Sequence, residues 1–255
     1  KYQVKGMPMS DRPIIALTLG DPCGIGPEVV AKALAHPDVL AACHLLVIGN
    51  APLLEKTIRD LGLAFEVTRV SAAVEAPKNA ISILDPGNLN AEDIVLGRVS
   101  AAAGKASVEW ILQAGELAIA GQVQAIATAP INKEAAQAAG YHDIGHMELL
   151  QSLTGAKEVA TMLTAGRLRV VHLTTHSSLA RAVEYVKKDH ILAKLELTHH
   201  CFQEWGFSTP RIAVAALNPH GGDGGLLGRE EIGEIAPAVE EAHRQGMDVK
   251  GPVPA

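Results

Sequence analysis

No segment of the 255 residues approaches the roughly 18 consecutive apolar residues that a membrane-spanning helix needs. The first ten residues, KYQVKGMPMS, lack the apolar core of a signal peptide. They read as a tag remnant or extension, and residues 1–11 stand outside the fold reading. Cysteine is scarce: Cys23, Cys43 and Cys201 are odd in number and far apart. That excludes a disulfide framework and a zinc knuckle, and suits a reducing cytoplasm. Basic residues are in deficit, with Lys plus Arg at 22 against 28 Asp plus Glu, a net charge of −6 and a pI near 6.0. The balance speaks against a phosphate-backbone partner, so neither nucleic acid nor membrane is expected as one. The 24 Gly and 14 Pro are scattered, which excludes collagen-like or low-complexity chain. Two phosphate fingerprints are missing as well. No Gly-Lys-Ser/Thr follows the one Gly-rich loop, and no Gly-x-Gly-x-x-Gly occurs in it.

What is present is a globular composition, 48% hydrophobic and 20% charged. At roughly 150 residues per domain it makes one large domain or two intimate ones. The recurring unit is an apolar strand, a turn and a helix. Strands are predicted over residues 13–19, 44–49, 65–70, 81–84, 125–129, 167–174 and 211–217. Helices are predicted over 28–35, 52–61, 97–121, 133–139, 189–206 and 230–245. The alternation implies an α/β fold with a largely parallel sheet and no internal repeat. The final VKGPVPA reads as a strand or turn leading onward, which predicts that the chain continues beyond it.

Ligands of parallel α/β sheets sit at the C-terminal ends of strands. Four polar segments occupy such places. In Gly20-Asp21-Pro22-Cys23-Gly24-Ile25-Gly26-Pro27-Glu28, glycines allow close backbone approach before a helix N-terminus, which favours an anion. A tight packing turn explains the same residues. In Thr128-Ala129-Pro130-Ile131-Asn132-Lys133, Asn132 and Lys133 can hold a carboxylate or phosphate, or serve as a helix cap and a solvated lysine. In Tyr141-His142-Asp143-Ile144-Gly145-His146-Met147-Glu148, His146 is the better candidate, because Gly145 leaves room for a substrate before an amphipathic helix.

The fourth segment is a pair. Thr174-Thr175-His176 and Asn218-Pro219-His220-Gly221-Gly222 each end a predicted strand with a histidine. If the two strand edges are neighbours, His176 and His220 share one divalent ion. Imidazole suits Zn, Co, Ni or Fe, and mixed N/O sites also accept Mn or Mg. Two ligands leave the site incomplete, so a third comes from elsewhere in the chain, from further C-terminal sequence or from another subunit. His44 and His172 lie inside apolar strands and read as core residues. His190, His199 and His200 lie on a helix and read as structural or surface groups.

Taken in order, GDPCGIGPE, TAPINKE, GHMELL, TTHSSL and LNPHGGDGGLLG make the chain resemble the 4-hydroxythreonine-4-phosphate dehydrogenase (PdxA) family, from about Arg12 to Ala255. The resemblance implies two α/β domains with a cleft between them, similar to the isocitrate and isopropylmalate dehydrogenases, in a homodimer with its active site at the interface. It places a first domain over 12–130, completed by later sequence, and a second over 131–255 carrying the metal-ligand histidines. It implies oxidation of a secondary alcohol of a small hydroxy acid by NAD or NADP, followed by loss of CO₂, with Zn, Co, Mg or Mn as the metal. Two of the family's three metal-binding histidines match His176 and His220. The third lies in a Tyr-His-Asp-Gln-Gly motif beyond Ala255, as does much of the nucleotide site, so no cofactor-binding residue is assigned here. The substrate-contacting histidine of the family matches His146. The Thr that follows it is Met147 here, which cannot donate a hydrogen bond and prefers apolar contact.

On this reading Asp21 and Lys133 position substrate or transfer a proton. His146, Met147 and Asn132 contact substrate, and Gly24 and Gly26 shape the floor of the cleft. The substrate is 4-phosphohydroxy-L-threonine or a related 4-phosphorylated acid. Met147 keeps the terephthalate cis-dihydrodiol, whose ring carries no phosphate, as the alternative. Phosphate acetyltransferase-like acyl transfer and a non-catalytic anion-binding module are the rivals from other classes.

Overall fold

The computed structural model describes residues 12–73, 80–142 and 145–254; the N-terminal segment 1–11, and Asp143 and Ile144 of the third polar segment, lie outside them. Contacts divide the chain into two compact units between Ala156 and Lys157.

The first unit is built on five parallel strands: β1 (Ile14–Thr18), β2 (His44–Ile48), β3 (Val67–Val70), β4 (Ile81–Leu84) and β5 (Ala125–Thr128). Their order is β3-β4-β2-β1-β5, with Leu17 of β1 level with Val47 on one side and Ala127 on the other. All five residues of β2, His44 included, are buried, so both faces of the sheet are covered. That is why the strands read as unbroken apolar runs rather than alternating ones. The covering helices are α1 (Gly26–Leu34), α2 (Pro37–Ala42), α3 (Ala51–Asp60) and α4 (Ala101–Ile119). Asn50 and Ser100 cap α3 and α4 by accepting from the amides of Leu53 and Ala103. The core joins Leu46, Ile48, Leu54 and Ile83 to Trp110 of α4, which is fully buried.

Two further helices, α5 (Lys133–Ala138) and α6 (His146–Thr154), also belong to this unit. The boundary expected at 130/131 therefore falls at 156/157. The reason lies on α4. A side chain at Gly104 would collide with the Ala135 carbonyl of α5, and one at Gly115 with Leu153 of α6. The two glycines let both helices pack directly onto α4, where they enclose Val108, Ile111, Ala136 and Leu149.

The second unit, residues 157–254, holds β6 (Met162–Ala165), β7 (Leu168–Val171), α7 (Leu179–Glu184), α8 (Lys188–Glu204), β8 (Arg211–Ala215), α9 (Ala236–Arg244) and β9 (Asp248–Val253). Its core joins Ile191 and Leu195 of α8 to Ala238, Val239 and Ala242 of α9 and Val249 of β9. Here the structure corrects one expectation. The predicted strand 167–174 stops at Val171 and pairs antiparallel with β6, while β8 pairs in parallel with β9. Among the described residues the strands leading to His176 and His220 are thus not paired neighbours in one parallel sheet. The cause is the two-residue turn Gly166-Arg167, with Gly166 at φ +59°, which folds β6 onto β7 as a hairpin. The Arg169 guanidinium lies over the rings of Phe202 and Phe207, at 5.9 and 5.5 Å from their centroids, and ties the hairpin to the end of α8.

No helix among the described residues is long and apolar enough to cross a membrane. All three cysteines are free thiols.

Candidate functional site

In the first unit the chain runs from β1 to β2 on one side and reaches β5 on the other side of β1, so the strand order reverses at β1. A crevice forms at such a switch point, beyond the carboxyl ends of the strands. The loops that follow β1 and β5 flank it. Asp21 N–H donates to the Pro130 carbonyl at 2.8 Å, which joins the two loops directly. Gly20, at φ +72°, lies so close to Ala129 and Pro130 that no side chain fits there. Gly26 is needed because a Cβ would strike the Leu19 carbonyl.

Within these loops the expected residues divide. The Asp21 carboxylate accepts from the Cys23 amide at 2.9 Å, and a Cβ on Gly24 would lie 2.9 Å from its other oxygen. Asp21 therefore shapes its own turn, with Gly24 making room for it. Asn132 accepts from the Ala135 amide at 3.0 Å and caps α5. Lys133 is exposed at the first position of α5. Cys23 is buried, and burial pushes its thiol up, away from a reactive thiolate.

His146 opens α6, behind Gly145, which provides no side-chain cap for the helix. Its imidazole meets the backbone of Ala129 and the charge of Lys133, so two of the four expected segments meet here, and the Asp21–Pro130 bond ties the first segment to the second. Nε2 of His146 is shielded from solvent and has no hydrogen-bond partner among the described residues. A buried polar atom left in this way is a mark of a site that receives a ligand. Burial lowers the His146 pKa; the Ala129 backbone and Glu148 oppose that, and Lys133 adds to it. The neutral imidazole is the form present near pH 7. Met147 follows it, half-buried, and the Glu148 carboxylate folds back beside Gly145.

The lowered value has a sign that can be checked. On acidification the unfolded chain takes up a proton at His146 before the folded chain does, so stability falls as pH drops below the ordinary 6.5 of an imidazole. The loss continues until the folded value is passed. Urea unfolding at a series of pH values between about 7.5 and 5 should show a shallower fall for His146→Asn than for the native chain. Equal slopes would remove His146 as a buried neutral group.

In the second unit His176 and His220 share an unusual backbone. Only three non-glycine residues among those described have positive φ: His176 (+51°), His220 (+53°) and Asp223 (+46°). His220 begins a run of five left-handed residues through Gly224. Each non-glycine residue held this way costs about 1–2 kcal/mol. Such strain persists only where the surrounding structure enforces it, and it concentrates at functional sites. The Asp223 carboxylate lies 3.4 Å from Nδ1 of His220.

Sequence reasoning missed what enforces the second of these bends. Glu231 is 2% exposed and accepts from the amides of Leu217 (2.9 Å) and Asn218 (2.6 Å) and from the Asn218 side chain (3.0 Å). Burial pushes the Glu231 carboxyl up, but the Asn218 and Leu217 hydrogen bonds outweigh it and hold it below the usual carboxylate range. Nothing in the sequence marked Glu231, because a glutamate at a helix start reads as a solvated first-turn acid.

The donor chemistry of His176 and His220 fits a borderline divalent ion. No group of three His, Cys, Asp or Glu among the described residues could hold one. His172, expected in the core, is half-buried, and its shielded Nδ1 has no partner among the described residues.

The first unit thus presents a parallel α/β sheet with polar, glycine-containing loops at its switch point, and the second unit holds two histidines at positive φ. Residues 41–255 match the family described as pyridoxal phosphate biosynthetic protein PdxA, and the chain belongs to that family. It is 43% identical over 251 residues to the D-threonate 4-phosphate dehydrogenase of Cupriavidus necator, covering 97% of this chain and 75% of that protein. It superposes on the crystal structure of a 4-hydroxythreonine-4-phosphate dehydrogenase from Burkholderia phymatum with a TM-score of 0.87 and 41% identity, over 95% of this chain and 74% of that one. A terephthalate 1,2-cis-dihydrodiol dehydrogenase from Burkholderia xenovorans gives 0.66 and 30%, over 95% and 74%.

Proposed function

We propose that this protein is a dehydrogenase of a 4-phosphorylated hydroxy acid, D-threonate 4-phosphate or 4-phosphohydroxy-L-threonine, oxidising its secondary alcohol with release of CO₂. The observation that carries the reading is the contrast in structural likeness. At equal coverage, the dehydrogenase named for a phosphorylated substrate matches at 0.87 and the one named for the dihydrodiol at 0.66.

The chain's own residues divide the work. His146 is neutral and faces the β5 loop, where its unpartnered nitrogen is free to bond a substrate oxygen. The exposed Lys133 ammonium and the first turn of α6 favour an anionic group nearby. Asp21 holds the Gly20–Gly26 loop in shape rather than moving a proton, as its bond to Cys23 N–H supports. His176 and His220 would hold the divalent ion, with a further ligand from outside the described residues. When bound, the ion supplies Lewis acidity at the substrate hydroxyl, and NAD or NADP supplies the hydride acceptor. No residue of this chain is assigned to the nucleotide.

A second copy of the chain is the proposed partner. The β6–β7 hairpin exposes Leu163 (57%), Leu168 (63%) and Val170 (42%), with Leu163 level with Val170. A lone two-stranded hairpin is marginal in water, so cover by a second copy would stabilise it.

Met147 favours one alternative, the terephthalate cis-dihydrodiol, because a thioether suits an apolar ring. Both acids and the dihydrodiol should therefore be offered to metal-loaded protein with NAD and with NADP, following reduced nucleotide and CO₂. Turnover of a phosphorylated acid is expected, lost on chelation and restored by a divalent ion. Turnover of the dihydrodiol alone would move the assignment to the alternative. Activity surviving thorough chelation would remove the metal, and silence on all three would reopen acyl transfer.

A further inference from the structure

The loop that carries His220 is held from beneath by a buried carboxylate of the same unit. β8 ends at Ala215, and its last peptides lead through Leu217 and Asn218 into the left-handed run. One oxygen of Glu231 takes both of those amides, and the other takes the Asn218 side chain. Glu230 takes a second bond from the same Asn218 amide group, at 2.8 Å. The loop is closed onto the clamp from above. Gly221 N–H donates to Asn218 O, and Leu227 N–H donates to Gly222 O, both at 3.1 Å. A Cβ on Gly222 would lie 3.0 Å from the Glu231 carboxylate, so the glycine lets the loop sit directly on it.

The placement of Glu231 depends on a local departure from α-helix. Residues Glu231–Ile235 form one π-helical turn before α9, closed by Ala236 N–H donating to Glu231 O five residues back. Such turns are rare, and they recur where a side chain must be aimed at a functional site. Here the turn ends on Ile235 in the core and leaves Glu231 buried under the loop. A lone buried carboxylate is costly unless it is fully bonded, and this one is bonded wholly to the peptide segment that precedes His220.

We propose that Glu231 is the positioning residue of His220: its buried carboxylate pins the Leu217–Asn218 peptides and so holds His220 in its left-handed conformation before any ligand arrives. The assignment of His220 as a ligand rests on the functional reading above, but the clamp itself does not.

The test compares the native chain with Glu231→Gln, His220→Ala and Glu234→Gln. A Gln at 231 keeps the shape but turns one acceptor into a donor facing the Asn218 side-chain donor. Glu234 is the control. It lies on the same turn and bonds Lys187 Nζ (3.0 Å) and Lys188 N–H (2.8 Å), away from the His220 loop. Two quantities are read: amide exchange of the 216–224 segment in metal-free protein, and Co²⁺ affinity by visible absorption. For Glu231→Gln the expected result is exchange about tenfold faster in that segment, with α9 still protected. Co²⁺ affinity should fall about 10- to 100-fold, the usual effect of losing a group that orients a ligand. Glu234→Gln should change stability and leave both readouts alone. A Glu231→Gln loop as protected as the native one overturns the proposal, as does a loosened loop with native Co²⁺ affinity. If Glu231→Gln does not fold, Gly222→Ala pushes a methyl against the same carboxylate, and the same readouts decide. Equal Co²⁺ affinity in native and His220→Ala protein would refute the ligand assignment, and the exchange result would then judge the clamp alone.

Discussion

Replacing His220 by Gly should lower turnover of the metal-loaded protein by on the order of 10³-fold or more while leaving the fold slightly more stable. The two effects have separate causes. Loss of an imidazole that holds a Lewis acid removes several kcal/mol of transition-state stabilisation, and about 1.4 kcal/mol corresponds to each tenfold in rate. The backbone at 220 sits at φ +53°, where glycine avoids a strain of about 1–2 kcal/mol. Glycine's extra freedom in the unfolded chain offsets part of that, so a gain of at most about 1 kcal/mol is expected. Initial rates with a phosphorylated acid and urea unfolding of the same preparation measure both quantities. His176→Gly, at φ +51°, should behave alike. A structural histidine would show the reverse pattern, with activity largely kept and stability lost.

The second large effect concerns Trp110. Trp110→Ala should destabilise the protein by about 3–5 kcal/mol, the range for emptying a fully buried aromatic site. The side chain has no solvent exposure and packs in the core of the first unit under the sheet. Its Nε1–H donates to Asn88 Oδ1 at 3.0 Å, and Asn88 in turn donates to Glu109 at 2.6 Å. Truncation therefore leaves a cavity and an unpaired amide oxygen together. Trp110→Phe separates the two, keeping most of the volume while removing the hydrogen bond, and should cost less. Denaturant midpoints with unchanged slope would attribute both losses to the folded state. A loss below about 1 kcal/mol for Trp110→Ala would mean that the core around α4 collapses freely onto the gap.

Much of the first unit was legible because its physics is local. Buried parallel strands such as HLLVI of β2 are unbroken apolar runs, and Pro27 marks a helix start by its own chemistry, whereas the helix expected from 97 begins at Ala101 behind its Ser100 cap. The short helices α2 and α7, of six residues each, are too brief for a period to show. The β6 strand was missed because MLTA is only four residues long, and only Gly166-Arg167 announces the hairpin. The domain boundary was misplaced because Gly104 and Gly115 look like helix-weakening residues in sequence. In the folded chain they are contact surfaces for α5 and α6.

The sequence by itself determined the α/β class, the parallel sheet, the family, and the candidacy of His146, His176 and His220. These follow from apolar periodicity, from motif order and from residue chemistry. Only the tertiary structure decided which candidates meet. It joined the β1 and β5 loops through Asp21 and Pro130, turned Asn132 into a cap, and buried one nitrogen of His146 without a partner. It also set His176 and His220 in a strained backbone and placed Glu231 beneath the latter's loop. A charged residue declares no burial in sequence, and a left-handed bend at a histidine costs energy that only long-range contacts can offset. Both are therefore invisible until the contacts that enforce them are in view.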